Sequence, residues 1–409
     1  MESIFVQIAS YRDPELIPTI ENLLEQAIYP ERLKICIAHQ HSPEDEWDTL
    51  DPYVEDPRFV IIDIPHFESH GVCWARNQVQ QYYNDETYTL QLDSHHRFVK
   101  GWDVICIRML KNLQDKGHPK PLLTSYIPSY DPANDPEGRV EVPWAMQFDR
   151  FIPEGPIFFL PYYLEKGLKE PIPARFYSAH FTFTLGIFCK EVPHDPRLYF
   201  HGEEITLAVR AYTWGYDLFH PHTVIAWHEY TRKGRKKHWD DDARWVSKNM
   251  IAHARVRQLL GVDGEVCTPC NMNTFIGFNI GGKRTLKEYE IYAGIRFKDR
   301  SITDRCRHNF VPPGFKEDHF YPLFKYPLEL NKKHFPWDDY EYAVISFINQ
   351  GGEEAYRDKL TKEEIKAFKE GKDEVWKVWR SYNGVTPKQW SVWPFSSTKG
   401  WGEKSVYNI

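Results

Sequence analysis

The chain has 409 residues, 42% hydrophobic and 27% charged, which suits a soluble globular protein of one large domain or two ordinary ones and excludes a disordered or fibrous chain. Its net charge of −7 excludes coating of nucleic acid through overall charge, although a local basic groove remains compatible with it. An aromatic share of 15% fits either a well-filled core or flat-ring and carbohydrate ligands.

The opening MESIFVQIASYRD lacks the basic, apolar and small-residue regions of a signal peptide, and no run is long enough for a membrane span. Seven cysteines at scattered spacings fit reduced thiols, so a cytoplasmic location is expected.

Ser3 to Ser10 reads as a buried strand running into the turn Tyr11-Arg12-Asp13-Pro14, and Leu16, Ile20, Leu23 and Leu24 then recur at helical spacing. Strands follow at Arg32 to His39 and Phe59 to Ile64, a helix carrying Arg76 at Gly71 to Tyr83, and a strand from Tyr88 that ends where Asp93 begins a polar run. This order predicts a mainly parallel α/β sheet with right-handed crossovers, built like a nucleotide-binding half. Neither G-x-G-x-x-G nor G-x-x-x-x-G-K-[ST] occurs, which argues against a dinucleotide enzyme or a P-loop NTPase.

In an extended chain Asp93 and His95 share one face, whereas His96 lies one residue off it. The pair serves equally as a strand cap held by local hydrogen bonds or as two metal ligands in the crevice beyond a strand end. Gly101 to Leu113 is predicted helical. Tyr126 to Pro173, rich in Pro, Gly and Asp, reads as long surface loops around a cleft, with Trp144 and Phe148 lining the cleft or anchoring the loop. Ser178 to Cys189 returns to strand character.

In the next block Ile205, Val209 and Tyr212 keep helical spacing after Gly202-Glu203-Glu204, with Gly215 as the stop. The two glutamates then lie at a helix N-terminus, where the macrodipole favours anions; they are either a charged first turn or a site for a hydroxyl. Thr223 to Trp227 is a short strand leading to His228, a second strand end with a metal-capable side chain. The basic run Arg232, Lys233, Arg235, Lys236, Lys237 and His238 is either a solvated loop or a phosphate-facing one. Cys267 and Cys270, with Cys306 and His308, have spacing compatible with a structural zinc or with unpaired core thiols. Beyond Asp299, Glu363 to Trp379 reads as a helix and Trp390, Trp393 and Trp401 as decorating an irregular tail.

Three blocks in order, IASYRDPEL, LDSHHRF and FHGEEITLAVRAYTWGYDLF followed by AWHEYTR, together with LKEYEIYAGIRF at Leu286 to Phe297, resemble the cytoplasmic GlcNAc-transferases that modify hydroxyproline on a ubiquitin-ligase subunit and, more distantly, the polypeptide GalNAc-transferases. The resemblance implies a GT-A fold over residues 1–298, with 299–409 as a C-terminal extension for acceptor binding or packing. It also implies a UDP-sugar donor, a divalent cation (Mn²⁺, or Mg²⁺) and transfer with retention.

On that resemblance Asp93, His95 and His228 are the metal ligands, and Ser10, Tyr11, Arg12 and Arg76 hold the nucleotide together with Asp93. Ala179, His180 and Phe181 border the donor sugar, and Glu203 and Glu204 are the catalytic candidates. Mixed carboxylate and imidazole ligation suits Mn²⁺ better than Mg²⁺. The acceptor implied is a protein hydroxyl. A glycan, a small molecule or a hydroxymethylated DNA base is the alternative, the last motivated by the basic run, and a non-catalytic nucleotide-sugar scaffold is the alternative of another class.

Overall fold

The computed structural model describes residues 2–231, 235–265, 275–314 and 318–409. The chain forms two compact units, Met1–Lys298 with Thr303–Asp318, and Asp299–Ile302 with His319–Ile409.

The first unit runs β1 (Ile4–Tyr11), α1 (Leu16–Gln26), β2 (Leu33–His41), β3 (Phe59–Pro65), α2 (Val72–Gln80), β4 (Tyr88–Asp93), β5 (His96–Phe98) and α3 (Trp102–Asp115). It continues through β6 (Pro121–Thr124), β7 (Trp144–Phe151), β8 (Ile157–Tyr163), β9 (Ile172–Pro173), β10 (Phe181–Leu185) and α4 (Phe188–Glu191). It closes with α5 (Glu203–Thr213), β11 (Asp217–His220), β12 (Ala226–His228), α6 (Trp245–Leu260) and α7 (Leu286–Ala293) among its main elements. The expected α/β sheet is present: eight strands in the order β3-β2-β1-β4-β10-β6-β11-β9. β3, β2, β1 and β4 are mutually parallel, and β10 enters antiparallel between β4 and β6.

The sheet is covered on both faces, which is why its strands are nearly continuous hydrophobic runs. Ile4, Val6 and Ile8 pack with Ile35, Ile37, Leu90 and Leu92 against Leu16, Ile20 and Leu23 of α1 and Trp102 of α3. On the other face Phe5, Cys36 and Ala38 meet Ala75 and Val79 of α2. Each such fully buried aliphatic side chain contributes roughly 1.5–3 kcal/mol relative to exposure. The alternation also aims Asp93, at the end of β4, toward the α2 side, because Leu90 and Leu92 occupy the α1 side.

Residues 126–173, expected as loops, contain the antiparallel hairpin β7/β8. A bulge between Phe148 and Arg150 breaks the alternation that would have announced it. Yet Ala145, Met146, Phe151 and Phe159 are buried, and their apolar surface holds the hairpin down. Among the described residues no helix is long and apolar enough to cross a membrane.

The second unit corrects two expectations. The helix predicted from Glu363 to Trp379 stops at Glu370, and Val375–Asn383 is a strand paired with Leu323–Asn331. The alternating VWKVWRSYN buries Val378 and Tyr382, which outweighs the helical Lys and Glu spacing. The aromatic tail is ordered too: Gln389–Ser396 pairs with Tyr340–Ile348, Trp390 is buried, and Trp393 stacks on Trp401 with centroids 4.1 Å apart.

Buried neutral histidines make the first unit acid-sensitive. Burial lowers the His220 imidazole to about 4, opposed only by its hydrogen bond to the Thr124 carbonyl at 2.8 Å. Because the folded value is depressed, its stability contribution is intact above about pH 6.5 and is lost as pH falls toward and through about 4. His220→Asn is expected to flatten the fall in melting temperature over that window; an unchanged slope would place the acid sensitivity elsewhere.

Candidate active site

Asp93 is the last residue of β4, and the chain turns at Ser94 before β5 begins at His96. Thr19 of α1 pins this turn: its hydroxyl donates to the Ser94 carbonyl at 3.0 Å and accepts from the His96 N–H at 2.8 Å. Asp93 and His95 are therefore brought together by a turn and not by strand alternation. His228 ends β12, whose antiparallel pairing with β5 sets it opposite His96.

Asp93, His95 and His228 each offer one ligand atom, and the three atoms lie within 4.8 Å of one another. His228 Nε2 is 3.4 Å and His95 Nε2 3.6 Å from Asp93 Oδ2. His95 Nδ1 meets Asp13 Oδ2 at 2.7 Å, which fixes the ring and leaves Nε2 turned to Asp93. Asp13 is itself buried and also accepts from Ser94 Oγ and Arg235 Nη1, both at 2.7 Å. Burial first, and the His95 charge next, hold the His228 imidazole well below its ordinary range, so it is a neutral lone-pair donor. Burial pushes the Asp93 carboxyl up, but the His228 hydrogen bond and the Arg76 and His95 charges outweigh it and keep it ionised. One carboxylate and two imidazoles, with the His95 ring oriented by Asp13, fit a divalent cation of the manganese or zinc class.

Arg76 of α2, with a side chain 4% exposed, places Nη2 2.6 Å from Asp93 Oδ1 and Nη1 3.9 Å from Glu203 Oε1. Its Nε and Nη1 are buried without a hydrogen-bond partner. Glu203 and Glu204 open α5 after Gly202, whose φ of +107° and whose approach to Val256 (an added Cβ would meet Val256 Cγ2 at 2.7 Å) admit only glycine.

The macrodipole was expected to favour anions here, yet both carboxyls are raised, by burial before any other cause. The neighbouring Glu204 charge adds to the rise of Glu203 and Arg76 opposes it, while the Ala179 N–H and the Tyr126 hydroxyl oppose the rise of Glu204. Those two groups donate to Glu204 at 3.0 and 2.8 Å, one to each carboxylate oxygen. Glu203 is the glutamate left facing Arg76.

Ser10, Tyr11 and Arg12 continue β1 beyond Ala9, which is in register with Asp93. Tyr11 donates to Asp241 at 2.8 Å, and Arg12 divides its guanidinium between Asp45 at 2.6 Å and Asp241 at 3.0 Å. The Ser10 hydroxyl is buried without a partner. His180 stacks on His228 with centroids 4.3 Å apart and on Tyr126 at 5.0 Å. Phe181, fully buried in register with Leu92, belongs to the hydrophobic core.

Asp13, Tyr126 and Arg235 complete the site; Asp13 and Tyr126 carried no sequence assignment, and Arg235 was read only as part of the basic run, not as a partner of Asp13. Asp13 stands in the same turn as Tyr11 and Arg12, a signal that was present. His96, set aside from the shared face, is fully buried with its ring 5.0 Å from that of His228. Cys267 and Cys270 lie outside the described residues. Cys306 is a buried free thiol, raised by burial to about 11, and His308 is exposed.

The family model "Glycosyltransferase (GlcNAc)" matches residues 3–57 and 48–299. No curated protein matches the chain. Among solved structures, GalNAc-T7 with UDP, GalNAc and Mn²⁺ is 14% identical, covering 63% of this chain and 48% of its own at a TM-score of 0.47. S. aureus TarS is 9% identical over 100% of this chain and 77% of its own (TM-score 0.39), and TarS 1-349 in complex with UDP-GlcNAc is 12% identical over 68% and 74% (TM-score 0.40). The chain thus spans about half the length of the GalNAc-T7 chain, and at such TM-scores these likenesses carry no conclusion about function. The family match extends over well more than half of the 409 residues, from the first strand through α7, and on it the chain belongs to the glycosyltransferase (GlcNAc) family.

Proposed function

We propose that this protein is a cytoplasmic, Mn²⁺-dependent, retaining transferase that moves GlcNAc from UDP-GlcNAc to a hydroxyl on a protein, hydroxyproline being the favoured acceptor. The observation that carries this reading is the convergence of Asp93, His95 and His228 on one point beside Arg76 and Glu203, within the segment that matches the family. Residues 1–298 are the catalytic domain in this reading and 299–409 an accessory extension.

Asp93, His95 and His228 would hold the cation, which when bound supplies positive charge beside the departing diphosphate. Arg76 keeps Asp93 ionised and oriented, and its unpartnered N–H groups suit nucleotide or phosphate oxygens. Ser10, Tyr11 and Arg12 contact the nucleotide from the end of β1, with Ala179 and His180 beside the sugar.

In the transfer step the acceptor oxygen bonds to the anomeric carbon as the bond from that carbon to phosphate oxygen breaks. The acceptor proton passes to the leaving phosphate on the same face. Glu203, kept protonated by burial, donates to a sugar or acceptor hydroxyl and holds it on that face. Glu204 holds the Ala179 backbone and Tyr126 in place.

Among the described residues of the basic run, Arg235 is paired with Asp13 and Glu229 and Lys237 with Asp240, which favours a protein acceptor over a DNA base.

The test is Mn²⁺-dependent UDP release across a panel of UDP-sugars. Selective hydrolysis of UDP-GlcNAc is expected, and no turnover with any donor overturns the reading. Glu203→Ala is expected to lower kcat about 10²-fold with little change in KM, and Glu203→Gln, which keeps a neutral hydrogen-bond donor, to lower it much less. Glu204→Gln, which disturbs a buried hydrogen-bonded carboxyl, is expected to cost about 1–3 kcal/mol of stability, read by urea melts.

A further inference from the structure

The ends of β2 and β3 carry a second cluster of metal-capable side chains. His39 is in register with Asp63 across the parallel pair, and His41 follows two residues on, on the same face. The two imidazoles stack at 4.6 Å with 12° between their planes, and His41 Nε2 lies 2.6 Å from Asp63 Oδ1. His39, His41 and Asp63 each offer a ligand atom within 4.8 Å of the others.

Behind them Asp48, 4% exposed, accepts from His39 Nε2 at 2.8 Å through Oδ1, and its Oδ2 is buried without a partner. These residues line a cavity of about 570 Å³ whose walls also carry Asp45, Glu46 and Asp51. Among the described residues that line it there is neither lysine nor arginine, although Arg12 reaches Asp45 from outside. The cluster lies on the opposite face of the sheet from Asp93. His39 follows Ile35 and Ile37 on the α1 side, whereas Leu90 and Leu92 turn Asp93 to the α2 side.

We propose that this cavity is a second divalent-cation site, with His39, His41 and Asp63 as ligands and Asp48 orienting His39. Asp48, with Oδ2 buried and unpartnered, stands in a cavity rich in carboxylates, and a cation held by His39 in front of it offsets that concentrated negative charge, which a hydrogen-bonded loop closure alone does not. Two imidazoles with carboxylate select a borderline metal of the zinc class over calcium or magnesium. The cation takes the place of the proton between His41 and Asp63, ties the edge strand β3 to β2, and anchors the 42–58 segment that joins them. The site does not depend on the proposed transferase activity.

The test uses the 409-residue chain, stripped with chelator, in a His95→Ala/His228→Ala background that disables the other cluster, with ZnCl₂ followed by calorimetry. One equivalent of Zn²⁺ is expected to bind and to raise the melting temperature. His41→Ala/Asp63→Asn, at positions 28% and 78% exposed and so not needed for the core, should abolish that binding. Asp48→Asn should weaken it about 10–100-fold. No Zn²⁺ bound by the background chain, or binding that survives His41→Ala/Asp63→Asn, overturns the proposal.

Discussion

His228→Ala is expected to lower Mn²⁺-dependent UDP release by about 10³-fold, a loss of roughly 4 kcal/mol of transition-state stabilisation. The substitution removes one of three convergent lone pairs and leaves Asp93 and His95 as an open pair. It does so without touching the sheet hydrogen bonds, because β12 and β5 pair through their backbones. The loss should fall on the apparent affinity for Mn²⁺ and on kcat together, and a melting curve distinguishes it from misfolding, since filling lost against His180 costs only about 1–3 kcal/mol. A drop of less than tenfold, in a chain that melts normally, would remove His228 from the site. His96→Ala behaves differently: the buried ring is not one of the three clustered ligand-bearing side chains, but it supports His228 across the β5/β12 pair. Its expected effect is on stability first and on turnover only through His228.

Arg76→Met is expected to cost about 3 kcal/mol of stability, the lower end for breaking a buried ion pair, because the Asp93 side chain keeps 25% of its exposure. Met fills the volume but takes from Asp93 its guanidinium partner at 2.6 Å, so part of the loss should return on adding Mn²⁺ through binding linkage. Arg76→Lys retains charge but not the fork that reaches Asp93 Oδ1 and Glu203 together, and should recover only part. Urea melts with and without Mn²⁺ measure both effects. A cost under about 1 kcal/mol would mean that solvent already screens the Asp93 charge.

Much of the first unit was legible because its strands and helices repeat at periods of two and 3.6 against a two-faced sheet. Ile4 to Ile8, Ile35 and Ile37, and Leu90 and Leu92 announce β1, β2 and β4, and Leu16, Ile20 and Leu23 announce α1. The hairpin β7/β8 was hidden by its bulge, and Val375–Asn383 by charges spaced as on a helix.

The sequence by itself determined which side chains end the strands, Asp93 after Leu92 and His228 after Trp227, and which open a helix, the Glu203-Glu204 pair after a glycine. These are local properties, written in alternation and in a stop. Only the tertiary structure decided how they meet. The turn at Ser94 swings His95 toward Asp13, 82 residues earlier, and β12 pairs with β5 so that His228 reaches Asp93, 135 residues away. It also decided the charge state of the glutamates, since burial at the start of α5 outweighed the helix dipole. The physical reason is that strand pairing and desolvation depend on which distant surfaces come together, and no short window of residues carries that information.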